Sequence, residues 1–316
     1  MKITEKQLRY RLEIGRTGIC HNRSHAETIW IRGISYLWQN GQTGADVKRI
    51  GGIKWNKYLI AGLCMTGLVV LLGILGVFWT PHSTTAMSAS ERFAAPSLRH
   101  FFGTDNFGRD IFSRVMKGIG TTILISTLVV AISGTAGILV GALTGYFGGI
   151  VDEIVMRITD AINGFPSILL ALVVISVMGT GQRNLVISLG IVFMPSFIRI
   201  VRSEFIRLRD ADYISRARLM GVSRGRILFV HILPNIFSTF WVSVMIGFNN
   251  AILAESGMSY LGIGVQPPQA SLGKMLSDAQ GYLTTAPWYA LAPGLTIVWI
   301  VLGFSLLSEG IQRLGR

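Results

Sequence analysis

The chain has 316 residues, of which 50% are hydrophobic and only 14% charged, with a formal net charge of +13 and a mean hydropathy of +0.52. Long uncharged runs in such a composition exclude an ordinary water-soluble domain and indicate helices that cross a bilayer, since about 20 apolar residues span a hydrocarbon core of about 30 Å. The runs are too long and too little alternating for barrel strands.

Residues 1–56 precede the first such run and are too long and too polar for a cleaved signal peptide. In "AETIWIRGISYLWQ", Ala26, Trp30, Gly33, Ile34, Leu37 and Trp38 share one helical face, with Glu27 and Arg32 outside it. That pattern suits a helix lying in the membrane interface or one packed on the rest of the protein. Cys20 stands in this basic region and Cys64 in an apolar run, an arrangement that makes a disulfide framework unexpected.

Six spans follow, near residues 58–80, 121–146, 158–178, 185–197, 236–253 and 290–307. The second carries Gly137, Gly141 and Gly145 at four-residue spacing after Gly134, a face on which helix backbones approach closely, within the chain or between subunits. Pro166 in "NGFPSILL" gives the third span a bent beginning, with Asn163 as a potential helix start. The fourth is the shortest and is interrupted by Pro195.

With the N-terminus inside, the internal segments hold 22 of the 29 Lys and Arg residues, and seven lie outside: Arg92, Arg99, Arg109, Arg114, Lys117, Arg183 and Lys274. The positive-inside rule therefore places both termini in the cytoplasm. The basic balance reads as orientation plus attraction to anionic lipid, not as nucleic-acid binding.

Residues 209–235, "RDADYISRARLMGVSRGRILFVHILPN", form an Arg-rich segment between two apolar spans. Asp210 or Asp212 can cap a helix that Gly221 ends, and Ser223 can cap a second. Ala211, Ile214 and Ala217 with Leu219 or Met220 give it an apolar side, and Arg216 and Arg218 cationic groups. Such a segment is either a solvated inside loop or a rigid handle that docks in a groove on a partner.

Chemistry is scarce. No GxxxxGK[ST] phosphate loop occurs, and "GTDNFGRD" (103–110) reads as a turn outside the membrane. His21, His25, His82, His100 and His231 are scattered and show no metal-ligand spacing, so no metal, cofactor or catalytic residue is expected. Few charges stand at membrane depth, which disfavours an ion-coupled carrier. Asp160 lies near the inner end of the third span, and Glu255, at the outer end of the fifth, is either a polar contact on a pathway or a structural partner.

The basic segment resembles the cytoplasmic loop of binding-protein-dependent ABC importer permeases, whose pattern is Glu-Ala-Ala, three residues, Gly, then nine residues before Ile-x-Leu-Pro. Ser215, Arg216 and Ala217 fall on the triplet, Gly221 on the glycine, His231 on the isoleucine, and Leu233 and Pro234 match. "HFFGTDNFGRDIFSRV", "FPSILLAL", "AILAESGMSYLGIGVQPP" and "APWYALAPGLTIV" are similar to the C-type subunit of dipeptide/oligopeptide/nickel permeases, from about Lys57 to Arg316. The resemblance implies an all-α polytopic chain with the type I ABC importer permease fold, residues 57–316 forming the transmembrane domain and 199–229 a cytoplasmic coupling segment.

It further implies a second homologous permease subunit, two cytoplasmic ATPases that bind the ATP, and an extracytoplasmic substrate-binding protein, in a bacterial or archaeal cell membrane. Tyr213, Ser215, Arg216, Ala217, Arg218, Gly221 and Pro234 are then the ATPase-coupling residues, with Ser215 and Arg216 departing from the family's Glu and Ala. Peptides are the expected cargo. Nickel or a metal chelate is the alternative within the family, and an ion-coupled secondary transporter the alternative outside it.

Overall fold

The computed structural model describes residues 56–314; the Trp-containing pattern of residues 26–38, Cys20, His21 and His25 lie outside them. The elements are α1 (Lys57–Phe78), α2 (Ile111–Phe147), α3 (Gly149–Asn163), α4 (Ser167–Met178), α5 (Gln182–Arg209), α6 (Asp212–Leu219), α7 (Leu233–Tyr260), α8 (Leu272–Ala279) and α9 (Pro287–Leu314). Four of them, α1, α2, α5 and α9, are long and apolar enough to cross a membrane. Two bent pairs, α3 with α4 and the segment 227–237 with 239–260, bring the number to six.

α1 starts at Asn56, whose side chain accepts the Leu59 N–H at 2.7 Å and donates to the Gly310 carbonyl of α9 at 3.0 Å. Its buried residues, Leu59, Gly62, Thr66, Val69, Gly73 and Gly76, recur every three or four positions and make one face. Leu63, Leu68, Leu71, Ile74 and Val77 are exposed on the other side, where lipid rather than water suits them.

The glycine stripe of α2 packs within the chain. A Cβ added at Gly141 would lie 2.8 Å from the Ile198 carbonyl oxygen, and one at Gly145 2.6 Å from Phe205 Cβ. The stripe is thus the seat of α5, which answers the choice between intrachain and intersubunit packing for these glycines.

The fourth span departs from expectation. α5 runs unbroken through Pro195 to Arg209 and is the most buried of the four long helices. A proline inside a span is tolerated where neighbouring helices enclose it, and Pro195 is buried. The charged continuation is helical because its arginines have partners. Arg199 Nη2 donates to Asp160 Oδ1 at 2.5 Å, and Arg202 grips Asp152 with Nε and Nη2 at 2.5 and 2.6 Å. Residues 199–209, expected to belong to the segment 199–229 outside the span, are thus the continuation of α5.

The third span is not one helix. The chain bends by 93° between α3 and α4, at the Gly164-Phe165-Pro166 step. Two apolar cores result. The larger joins α1, α2, α4, α5, α7, α8 and α9, and the smaller lies at the α6 end.

Candidate functional site

The smaller core defines the site. It consists of Ala142 from α2, Val201 and Phe205 from α5, Ile214 from α6, Ile227 and Ile232 from the π-helical turn Ile227–Ile232, and Ile236 from α7. Ile214 is fully buried and Ala217 is 6% exposed, so the apolar side of α6 is spent on the chain's own helices. Leu219 and Met220, by contrast, are 89% and 77% exposed. The apolar side expected for α6 thus divides, Ile214 and Ala217 facing in and Leu219 and Met220 facing out.

Both ends of α6 are set by backbone chemistry. Ala211, not Asp210 or Asp212, is the N-cap, and no side chain caps the helix. Asp210 closes α5 instead, and Asp212 sits in the first turn of α6, where its charge suits the helix dipole. At the other end the Gly221 N–H donates to the Arg218 carbonyl at 3.0 Å, and the Val222 N–H to the Ala217 carbonyl at 3.1 Å. This Schellman pair needs a left-handed residue between its bonds, and Gly221 supplies it at φ +76°. Ser223 begins the next turn through its backbone, its carbonyl accepting the Ile227 N–H at 3.1 Å.

Tyr213, Ser215, Arg216 and Arg218 are exposed on α6, and Pro234 is exposed in the first turn of α7. Arg218 Nη2 approaches the Arg209 carbonyl at 3.5 Å. Asn235 Nδ2 donates to the His231 carbonyl at 2.7 Å and reaches the Tyr213 hydroxyl at 3.4 Å, tying α6 to α7. Arg209 Nη1 donates to the carbonyls of Gly145 and Tyr146, at 3.3 and 3.5 Å, at the C-terminal end of α2 where a cation is favoured. Arg209 and Asn235 were not among the residues singled out in sequence. Asn235 lies in the quoted "HILPN", whereas nothing local marks Arg209.

A cleft of about 630 Å³, lined by Tyr146, Phe147, Arg209, Asp210, Arg218, Val222 and Ile227, opens between α6 and the end of α2. α6 is therefore a short helix with a cationic and apolar outer face, and its inner face is keyed into α2, α5 and α7 at once.

Glu255 lies apart from this site. It is fully buried, and it accepts the Thr122 hydroxyl at 2.8 Å on Oε2, the Ser259 hydroxyl at 2.8 Å on Oε1 and the Ser256 hydroxyl at 3.4 Å. Its neighbours are those of a structural carboxylate joining α2 to α7. "GTDNFGRD" is a turn built on Asp105, which accepts the N–H groups of Phe107 and Arg109 at 2.8 and 2.9 Å and the Arg109 Nε at 2.7 Å. The fold also brings together His82, His100 and Asp110, histidines that looked scattered in the sequence.

Comparison with known proteins agrees with this architecture. Residues 137–314 match the family described as "Binding-protein-dependent transport system inner membrane component". The dipeptide transport system permease protein DppC of Alkalihalophilus pseudofirmus is 38% identical over 260 residues, covering 82% of this chain and 86% of that protein. DppC of Haemophilus influenzae is 32% identical, with 82% and 90% covered. The glutathione transport system permease protein GsiD of Pectobacterium atrosepticum is 36% identical, with 82% and 88% covered. Among solved structures, a chain of the inward-facing MetNI methionine ABC transporter superposes with a TM-score of 0.52 at 16% identity, over 64% of this chain and 96% of that one, a likeness of fold alone. From the family match and these relatives, the chain belongs to the binding-protein-dependent transport system inner membrane components and is a multi-pass membrane permease.

Proposed function

We propose that this chain forms half of the translocation pathway of an ATP-driven importer for peptides, and that α6 is the element through which the ATPases act on it. The relatives' names, dipeptide and glutathione permeases, support a peptide cargo over nickel or a metal chelate. The family is a transport component rather than an enzyme. In this reading a second homologous permease subunit completes the pathway, two cytoplasmic ATPases bind and hydrolyse ATP, and an extracytoplasmic binding protein delivers the peptide. Residues 57–316 are the transmembrane unit and residues 1–56 a basic cytoplasmic extension.

The observation that carries the role of α6 is the division of its surface. Ile214 is buried in a core shared with α2, α5 and α7 and Ala217 is buried as well, while Tyr213, Ser215, Arg216, Arg218, Leu219 and Met220 face outward. An apolar tip flanked by arginines suits a groove with acidic rims. Exposed ion pairs are worth under about 1 kcal/mol each, so Leu219 and Met220 supply the anchor and the arginines the register. Packed cores switch between discrete arrangements rather than deform smoothly, so a pull on α6 moves α2, α5 and α7 together. Ser215 and Arg216, where the family pattern has Glu and Ala, set contacts of a different charge on this surface.

Reconstitution tests the function. The complete assembly in vesicles should take up a dipeptide only when ATP and the binding protein are present, and this chain alone should neither hydrolyse ATP nor take up peptide under an ion gradient. Ion-driven uptake by the isolated chain would overturn the importer reading in favour of a carrier.

A further inference from the structure

The loop between α1 and α2 (residues 79–110) folds back on itself and gathers two imidazoles and a carboxylate. One ring nitrogen from each of His82 and His100 and one carboxylate oxygen of Asp110 lie within 4.8 Å of one another. His100 and Asp110 are buried, at 6% and 3% exposure, and His82 is partly covered. The two histidines are fixed by their backbone N–H groups and the aspartate by its carboxylate. The His82 N–H donates to Ser113 Oγ at 3.1 Å, the His100 N–H to Ser97 Oγ at 3.1 Å, and Asp110 caps α2 by accepting the Ser113 N–H at 2.8 Å.

Capping alone does not explain the group. A helix cap needs Asp110, and the contact of His100 Nδ1 with Asp110 Oδ1 at 2.9 Å would orient it. Yet two further imidazole nitrogens, His82 Nδ1 and His100 Nε2, are buried without a hydrogen-bond partner, and a buried polar atom left unpaired is costly. His82 Nδ1 stands 3.8 Å from Asp110 Oδ2, too far for a hydrogen bond. It is close to the separation of about 3.3 Å between two ligands that each bind one tetrahedral ion at 2.0–2.1 Å. His100 Nε2, on the far side of its ring, faces Glu91 Oε2 at 3.8 Å. A carboxylate behind a metal-binding histidine is the usual outer partner that fixes its tautomer.

From this geometry we infer that His82, His100 and Asp110 form a binding site for a divalent transition metal, zinc, nickel or cobalt in class, with Glu91 orienting His100. Two imidazoles and one carboxylate favour such ions over calcium or magnesium, which take oxygen ligands. The ion binds Nδ1 of both histidines and Asp110, leaving a fourth position for water. Binding through His100 Nδ1 places the ring proton on Nε2, the nitrogen that faces Glu91. The ion fastens residue 82, just beyond α1, to residue 110, where α2 begins.

Cobalt(II) is the probe, because its visible spectrum reports tetrahedral nitrogen and oxygen ligation directly. The full-length chain in detergent, chelator-treated and carrying Cys20→Ser, His21→Ala and His25→Ala to remove the other closely spaced donors, should bind one cobalt ion with a tetrahedral spectrum. Added zinc should compete for it and raise the unfolding temperature. His100→Gln and His82→Gln should each weaken binding by at least about 100-fold, since loss even of outer-sphere partners costs about 10–100-fold. His82 lies at the edge of the cluster, and the His82→Gln chain should unfold at the metal-free parent's temperature, which separates lost ligation from lost fold. Cobalt binding unchanged in His82→Gln, or the absence of a tetrahedral spectrum in the parent, overturns the site.

Discussion

The hydroxyl of Thr122 donates to Oε2 of Glu255 at 2.8 Å, joining α2 to α7 between residues 133 positions apart. With Ser259 on the other oxygen, the carboxylate is held from two helices inside a fully buried site.

Removing that acceptor strands buried hydroxyls and opens a void. Glu255→Ala should therefore destabilise the chain by about 2–4 kcal/mol, with Glu255→Gln costing less because it keeps an acceptor oxygen. Thermal unfolding of the detergent-purified variants measures this. Uptake by the assembly should survive in Glu255→Gln; uptake abolished without loss of stability would make Glu255 a pathway residue.

Gly141 sits where α2 meets α5, with no room for a side chain. Gly141→Leu should lower the yield of folded chain and destabilise it by about 1–3 kcal/mol or more, the usual cost of overpacking. Gly67 of α1, where an added Cβ meets nothing within 4 Å, provides the control, and Gly67→Leu should be tolerated. Equal loss at both positions would show that leucine substitution in a span, and not the α2–α5 seat, is responsible.

Gly221 is required for its backbone, not for its size. A Cβ there would meet nothing within 4 Å, but its φ is +76°. Gly221→Val should strain the end of α6 by about 1–2 kcal/mol and lower both transport and substrate-stimulated ATP hydrolysis, with the chain still inserted in the membrane. Gly221→Asn, which accepts the left-handed region more readily, should retain most of both activities. Equal effects of the two substitutions would contradict this account.

Much of the architecture was legible because hydrophobic runs and charge asymmetry are local signals. What was missed depends on partners distant in sequence. Pro195 followed by Arg199, Arg202 and Arg207 reads as the end of a span, and only Asp152 and Asp160, some 40–50 positions earlier, explain why α5 continues. The inward side of α6 was half legible. Ile214 and Ala217 fit a helical period, but Leu219 and Met220 fit it as well and face outward. His82 and His100 are 18 positions apart, and only the fold of the loop brings their rings to 4.8 Å between centroids.

The orientation rests on the charge bias, and labelling tests it. With Cys20 and Cys64 replaced, single cysteines at exposed positions in residues 81–110 and 261–269 should react with an impermeant reagent from outside, and those in residues 211–223 only from inside. Labelling of residues 211–223 from outside would invert the topology.

The central claim is that α6 meets the ATPase with one face and the permease with the other. Cysteine cross-linking in the assembled complex tests it most directly. Cysteines placed singly at Arg216, Leu219 and Met220 should cross-link to the ATPase chain, with efficiency that changes when ATP binds. Cysteines at Ile214 and Ala217 should not. Cross-linking from the buried pair and not the exposed three, or from none of the five in an assembly that still transports, would contradict the assignment of α6 as the coupling helix.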